Sequence, residues 1–171
     1  MTMKFVKQSF MGIELDVLIG HPEHDVLFIA TQVAQAAGLK DPAGAVNNAK
    51  RNHEAGLTLG TLMANHAISP LPKDTQGRSL RKTILLFTEG HTYDMLLRGH
   101  APASEPFRKW VTEEVLPSIR KTGTYNIHES ETKEAQQFAG EFAQLHSAIS
   151  ELTSEVLSLK EIIAGCQKPS L

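Results

Sequence analysis

The stretch FRKWVTEEVLPSIRKTGTY, residues 107–125, holds the only Trp of the 171-residue chain and constrains its own conformation more tightly than any other run. Ser104 stands where it can cap a helix whose first turn tolerates Pro106. Phe107, Trp110, Val111 and Val115 then share one helical face at offsets 3, 4 and 8, and such a face is buried in a core, with Leu116 read alongside it. Pro117 removes the amide that would bond the Glu113 carbonyl and presses its ring on that turn, so the helix is expected to kink or restart near Leu116. Gly123 ends it.

Upstream, Lys4 to Phe10, a turn at Met11-Gly12 and Ile13 to Ile19 read as a β-hairpin, because Ile13, Leu15 and Val17 alternate with polar neighbours and Gly12 supplies a positive φ. A short strand at Val26 to Ile29 comes next. Between them His21-x-x-His24-Asp25 has two metal-ligating side chains but no third cluster to complete a site, so the segment reads as a solvated turn and no metal is expected. Thr31 is placed to cap a helix through Ala37 that Gly38 ends, and Asp41-Pro42 supplies a second cap and first turn for a helix reaching about Asn52.

This helix, turn, helix spacing is compatible with a helix-turn-helix whose second member presents Asn47, Asn48, Lys50, Arg51 and Asn52. Asn and Arg make bidentate contacts to adenine and guanine edges, so the face has chemistry for reading bases; Gly44 weakens the helix, and most such pairs merely pack. Ala55 to Pro72, with Gly56, Gly60, Pro70 and Pro72, reads as a loop with one helical turn around Leu62 to His66. Lys73 to Phe87 reads as a second hairpin turning at Asp74-Thr75-Gln76-Gly77. Its Lys73, Arg78, Arg81 and Lys82 would either lie along phosphates or simply be solvated. A Thr88-capped helix then runs to Arg98.

From Glu129 the character changes: Phe138, Phe142, Leu145, Ile149, Leu152, Val156, Leu159 and Ile163 are spaced 4, 3, 4, 3, 4, 3, 4. With Phe142, Ile149, Val156 and Ile163 at a and the others at d, the pattern is that of a parallel coiled coil in which Glu155 faces the partner's Lys160. The alternative is an amphipathic helix folded back on its own domain; the narrow stripe suits a coiled coil better, giving a dimer or tetramer.

The run from Phe107 to Tyr125 resembles the closing motif of the BRO-N domain of bacteriophage antirepressors and large-DNA-virus BRO proteins. Phe107, Trp110-Val111, Val115-Leu116-Pro117, Ile119-Arg120 and Thr122-Gly123-x-Tyr125 carry the likeness. Thr88-Glu89-Gly90 with Tyr93 and Leu96-Leu97 is similar to an earlier helix of that family, and Phe10-x-Gly12, Val17, Phe28-Ile29-Ala30 and Val33-Ala34 to its opening. Gly99 and Glu105 depart from the pattern, where it has Ser and a small residue, and Ala55 to Ser79 matches none of it. The resemblance implies an α+β architecture: a small BRO-N-like domain with β-hairpins and helices over residues 1–125, a hinge at 126–131, a C-terminal coiled-coil helix over 132–165 and a tail at 166–171. It implies a phage antirepressor, acting on a phage repressor protein; DNA binding, attributed to members of the family, is the alternative.

Bulk properties narrow the classes. The hydrophobic fraction of 41% is that of a globular protein, and the net charge of −2 argues against a protein that works mainly as a non-specific phosphate binder. Residues 1–128 carry 14 Lys/Arg against 12 Asp/Glu, and 129–171 carry 3 against 7, so the acidity is in the tail. One cysteine, Cys166, excludes an intramolecular disulfide and fits a reducing compartment. No apolar run reaches membrane-spanning length and the first ten residues have no secretory h-region, so a bacterial cytosolic protein is expected, without membrane contact. There is no Gly-rich phosphate loop, G-x-S-x-G or H-E-x-x-H, and adjacent Glu113 and Glu114 point to different azimuths of a helix. No enzymatic activity and no cofactor are expected.

Overall fold

A computed structural model describes residues 2–52, 57–74 and 76–167. Strands β1 (Thr2–Phe10) and β2 (Ile13–Ile19) form the hairpin, paired from Lys4 with Ile19 to Phe10 with Ile13. Its two turn residues, Met11 and Gly12, have φ of 53° and 75°, the double positive φ that matches the twist of the flanking strands. β3 (Val26–Ile29) pairs antiparallel with β2, and β6 (Leu85–Thr88) with β3. Two short strands, β4 (Leu57–Thr58) and β5 (Ala67–Ile68), complete a six-stranded sheet of order β4-β6-β3-β2-β1-β5.

The sheet is covered on both faces, and the alternation of side chains sorts the core in two. Leu15, Val17, Ile19, Val26, Phe28, Leu85 and Phe87 face α1 (Ala30–Ala36), α2 (Pro42–Asn52), α4 (Glu89–Arg98), α5 (Glu105–Lys109) and α7 (Lys133–Gln167). Met3, Phe5, Leu18, Leu27, Ile29 and Leu86 face α3 (Leu59–Asn65).

The expected second hairpin does not form. Lys73 and Ser79 make one isolated bridge around the Asp74 turn, whose Thr75 lies outside the described residues, while the apolar run Leu85-Leu86-Phe87 pairs with β3 and β4 in the sheet interior. The reason is burial on both faces: a continuous apolar strand needs layers covering both of its sides, which a two-stranded polar ribbon does not supply. The segment read as a loop holds β4, α3 and β5, with Thr58 capping α3 through the Thr61 amide; Ala55 and Gly56 are outside the described residues. α1 starts at Ala30 without a side-chain cap, so Thr31 is not one. Ser104 caps nothing either: its buried hydroxyl donates to the Ala101 carbonyl and accepts from Arg108.

Around Pro117 the helix changes pitch. Between α5 and α6 (Leu116–Thr122) a π-helical segment spans Trp110–Val115, with the Leu116 amide reaching back to Val111; regular helix resumes at Leu116 and ends at Gly123 with φ 80°. The wider turn holds an extra residue, which rotates the rest of the helix by about 100°. Phe107 and Trp110 are buried, whereas Leu116, read alongside them, and Ile119 are 55% and 43% exposed.

α7 folds back on the domain. Thr132 caps its first turn at the Ala135 amide, and Glu114 anchors the approach by accepting hydroxyls from Tyr125, Ser130 and Thr132. The segment 126–131, read as a hinge, contains a 3-10 turn at Ile127–Glu129 and is tied to the domain by that carboxylate in this conformation. Burial acts to raise the Glu114 carboxyl, but the three hydroxyls outweigh it and hold it below its ordinary range. Further along, Phe138 is 0% exposed, its ring stacked on Trp110 at 4.8 Å and edge-on to Phe107 at 5.6 Å. Phe142, Leu145, Ile149, Leu152 and Val156 continue against the same core, and Leu159 and Ile163 lie beyond it, 59% and 55% exposed. The inner six of the eight seam positions thus touch the chain's own domain.

That division has a direct consequence for stability. Phe138→Ala should lower the unfolding free energy by about 3–5 kcal/mol, whereas Leu159→Ala should stay within about 0.5 kcal/mol of the native chain at concentrations where it is monomeric. Urea titration followed by Trp110 fluorescence measures both; equal losses would contradict the docking of α7.

Glu141 gives a second check. Its carboxylate accepts the Met11 amide at 2.8 Å, tying α7 to the hairpin turn. Burial raises its carboxyl, against the pull of Gln137 and the Met11 and Gly12 amides. A raised carboxyl contributes stability that is complete below the unfolded range and is lost as pH rises through the folded value. Relative to the native chain, Glu141→Gln should therefore gain stability as pH rises above the ordinary Glu range of about 4. A pH-independent difference in urea titrations would show that ionising Glu141 costs nothing.

Candidate functional site

α2 is built to present a polar face. Pro42 occupies its first turn, and Asp41 caps it, Oδ1 accepting the Gly44 amide at 3.0 Å and the main-chain carbonyl accepting the Ala45 amide at 3.0 Å. Val46 is buried in the core and Ala45 and Ala49 are half-buried beside it, which turns Asn47, Asn48, Lys50 and Arg51 outward, all exposed. Lys50 and Arg51 fall in the last turn, where the helix dipole favours cations. The approach from α1 is tight: a side chain at Gly38, whose φ is 69°, would stand 2.2 Å from Ala101 Cβ.

Beside this face runs a groove of about 210 Å³ between α2 and α4, lined by Asn48, Ala49, Phe87, His91, Asp94 and Arg98. Its volume is below the roughly 300 Å³ at which cofactor pockets begin, and it suits an inserted side chain of a macromolecular partner. Arg98 is paired with Asp94 at 2.9 Å. Of the residues singled out in the sequence, Asn48 lines the groove, and Asn47, Lys50 and Arg51 share its helix.

The other basic residues do not join them. Arg78 is bound within its own loop, Nε donating to Asp74 Oδ2 at 2.9 Å while the Gln76 and Arg78 amides bond Oδ1. The Arg78 amide foremost holds the Asp74 carboxyl below its ordinary range, burial opposing it and the Arg78 side chain adding to it. Arg81 and Lys82 are exposed beside α3, where the Lys82 carbonyl accepts the Gly60 amide at 2.8 Å, and α3 packs on the face of the sheet opposite α2.

Three groups were not legible as functional or structural centres: Glu114, Glu141 and Arg108, whose guanidinium bonds the Ser104 hydroxyl and the Ala101 carbonyl. Glu141 reaches a turn 130 residues away and Glu114 the linker 11 to 18 residues on, so no local spacing announces them, whereas Arg108 bonds groups only four and seven residues back. His21 and His24 lie with ring centroids 5.0 Å apart and His66 6.1 Å from His21, while His21 Nδ1 accepts the Glu23 amide inside the turn. Burial foremost, then His24 and His66, lowers the His21 imidazole. Among the described residues no group of three or more such side chains is placed to hold a metal ion.

Comparison with known proteins adds the lineage. The sequence profile of the BRO family, N-terminal domain, matches residues 14–117. An uncharacterized protein of Haemophilus influenzae is 40% identical over 53 residues, 31% of this chain and 26% of that protein. Two proteins of Invertebrate iridescent virus 6 named for a Bro-N domain also match: 289L at 36% identity over 52 residues, and 201R at 34% over 55 residues. These stretches cover 30% and 32% of this chain but only 12% and 13% of the two viral proteins. No solved structure matches the chain.

The cap that sets the α2 face is testable. A Cβ at Gly44 would stand 2.0 Å from Asp41 Oδ2, so Gly44→Ala must displace the cap. Helix propensity alone predicts a gain of about 1 kcal/mol, and loss of the cap costs about 0.5–2 kcal/mol. Thermal unfolding should therefore show no stabilisation; a clear rise in Tm would mean that Asp41 does not hold the helix start.

Proposed function

Since the chain belongs to the BRO family through its N-terminal domain, a family associated with phage antirepressors and DNA-binding regulators, we propose that it is an antirepressor. It binds a phage repressor, stops it holding its operator and so switches a prophage towards lytic gene expression in the host cytoplasm. The observation that carries this reading is the character of the α2 face: an exposed polar ridge of Asn47, Asn48, Lys50 and Arg51 beside a small groove with apolar Phe87 at its base. Such a surface fits a protein partner, for which a few side chains seated in a pocket carry most of the energy. A nucleic-acid surface relies on clustered cations, and here Arg78 and Arg98 are each engaged by a carboxylate of their own loop or helix. Self-association through α7 serves the same end, because linked modules gain avidity without new contacts.

The second reading, a sequence-specific regulator of double-stranded DNA, is favoured by one observation: α1, a short turn and the Asp41-capped α2 present Asn and Arg side chains on an exposed second helix.

Co-purification with the repressor of the same prophage, with and without operator DNA, separates the two. A stoichiometric complex that releases operator is expected, and Asn48→Ala combined with Arg51→Ala should weaken it at least about 10-fold. No repressor binding, together with sequence-selective, salt-sensitive retardation of DNA by the protein alone that the double variant loses, would establish the DNA reader instead.

A further inference from the structure

Seven large apolar side chains are exposed among the described residues, and four of them, Leu157, Leu159, Ile162 and Ile163, lie in the part of α7 that extends past the domain. Leu159 and Ile163 continue, without change of period, the stripe that Phe138 to Val156 lay on the core. Beyond the domain the stripe therefore faces solvent on the same side of the helix on which the domain sits.

We propose that this overhang, residues 157–167, pairs antiparallel with the overhang of a second copy of the chain, each tip reaching the groove where the other copy's α7 leaves its domain. The geometry selects the direction. In an in-register parallel pair each helix would place its own domain on the seam side, between the two helices, and both domains would need the same space. An antiparallel pair puts the domains at opposite ends. The facing of Glu155 and Lys160 favours the parallel form, but an exposed ion pair contributes little and does not offset overlap of two folded domains. In the antiparallel form an a position meets a d position, so Leu159 packs on the partner's Ile163. Ile162, at a flanking position where charge is usual, then meets its own equivalent across the two-fold axis.

Size argues that the groove takes part. The overhang is roughly 16 Å long, and its 11 residues are about half of the 20–30 a side that a stable interface uses. The remainder is at the shoulder of the domain, a groove of about 240 Å³ lined by Thr2, Gly20, His21, Pro22, Val156 and Leu157. The same two patches meet on both copies, so the contact is isologous and closes at two.

This assignment deepens the self-association in the reading above and is independent of the repressor; its test contains neither repressor nor DNA. Sedimentation of the full chain should give the mass of two chains, and Leu159→Asp with Ile163→Asp the mass of one, with the same helical circular dichroism. In a Cys166→Ser background, a mixture of Leu159→Cys and Ile163→Cys chains should cross-link on oxidation, and neither alone. A native mass of one chain would overturn the proposal, and so would cross-linking of Leu159→Cys by itself, the mark of in-register parallel pairing. A dimer that fails to bind repressor leaves this proposal standing and removes the antirepressor reading; a monomer that binds it does the reverse.

Discussion

The stacking of Phe138 on Trp110 is the contact on which the rest of the structure depends. Phe10 from the hairpin, Phe107 from α5 and Phe142 from α7 surround the same two rings at centroid distances of 5.6 to 6.3 Å. Three segments remote in sequence, near residues 10, 110 and 140, are therefore held by one buried aromatic cluster, each ring hiding a large apolar area and adding edge or stacking contacts. Polar groups close it: the Trp110 indole N–H donates to the Tyr125 hydroxyl at 2.9 Å, which donates to Glu114 at 2.9 Å. A buried indole donor is thus satisfied while the chain is led from α6 to the start of α7.

The helix-pitch change over Trp110–Val115 arises from the same requirement. Pro117 has no amide to give the Glu113 carbonyl, and widening the turn re-routes the backbone bonds rather than breaking the helix. The widened turn leaves Phe107 and Trp110 facing the core, while Leu116 and Ile119 lie outside it. It also brings Glu114 round to the hydroxyls that hold the linker. With α7 docked over one side of the sheet, the helix-covered face that stays open is the α2–α4 side, where Asn48 and its groove lie.

How much of this was legible depended on whether the information was local. The Met11-Gly12 hairpin, the Asp41 and Thr88 caps and the Gly123 stop were readable because each is decided within a few residues. The partner of the Leu85–Phe87 strand was not, since β3 lies some sixty residues away in sequence and nothing nearby encodes that pairing. α3 was partly hidden: Leu59, Leu62 and Met63 have helical spacing behind a Thr58 cap, but Gly56, Gly60, Pro70 and Pro72 obscure the period. The α7 stripe was legible as buried, but a heptad spacing does not say whether a second helix or the chain's own domain buries it. Leu116 was misplaced because it was read with Phe107 and Trp110, although about two and a half helical turns already set it on the side opposite Phe107. On α2 the exposed polar residues were readable, while the groove they border depends on α4 and was not.

The docking of α7 is the claim on which the open face and the overhang both rest. Hydrogen exchange along α7, measured at two protein concentrations spanning self-association, tests it most directly. Amides from Ala135 to Leu152 should be protected equally at both, as part of the domain, and only those beyond Val156 should gain protection with concentration. Protection that rises with concentration along the whole helix from Phe138 onward would contradict the account, because it would mean that the seam is buried by another copy and not by the domain.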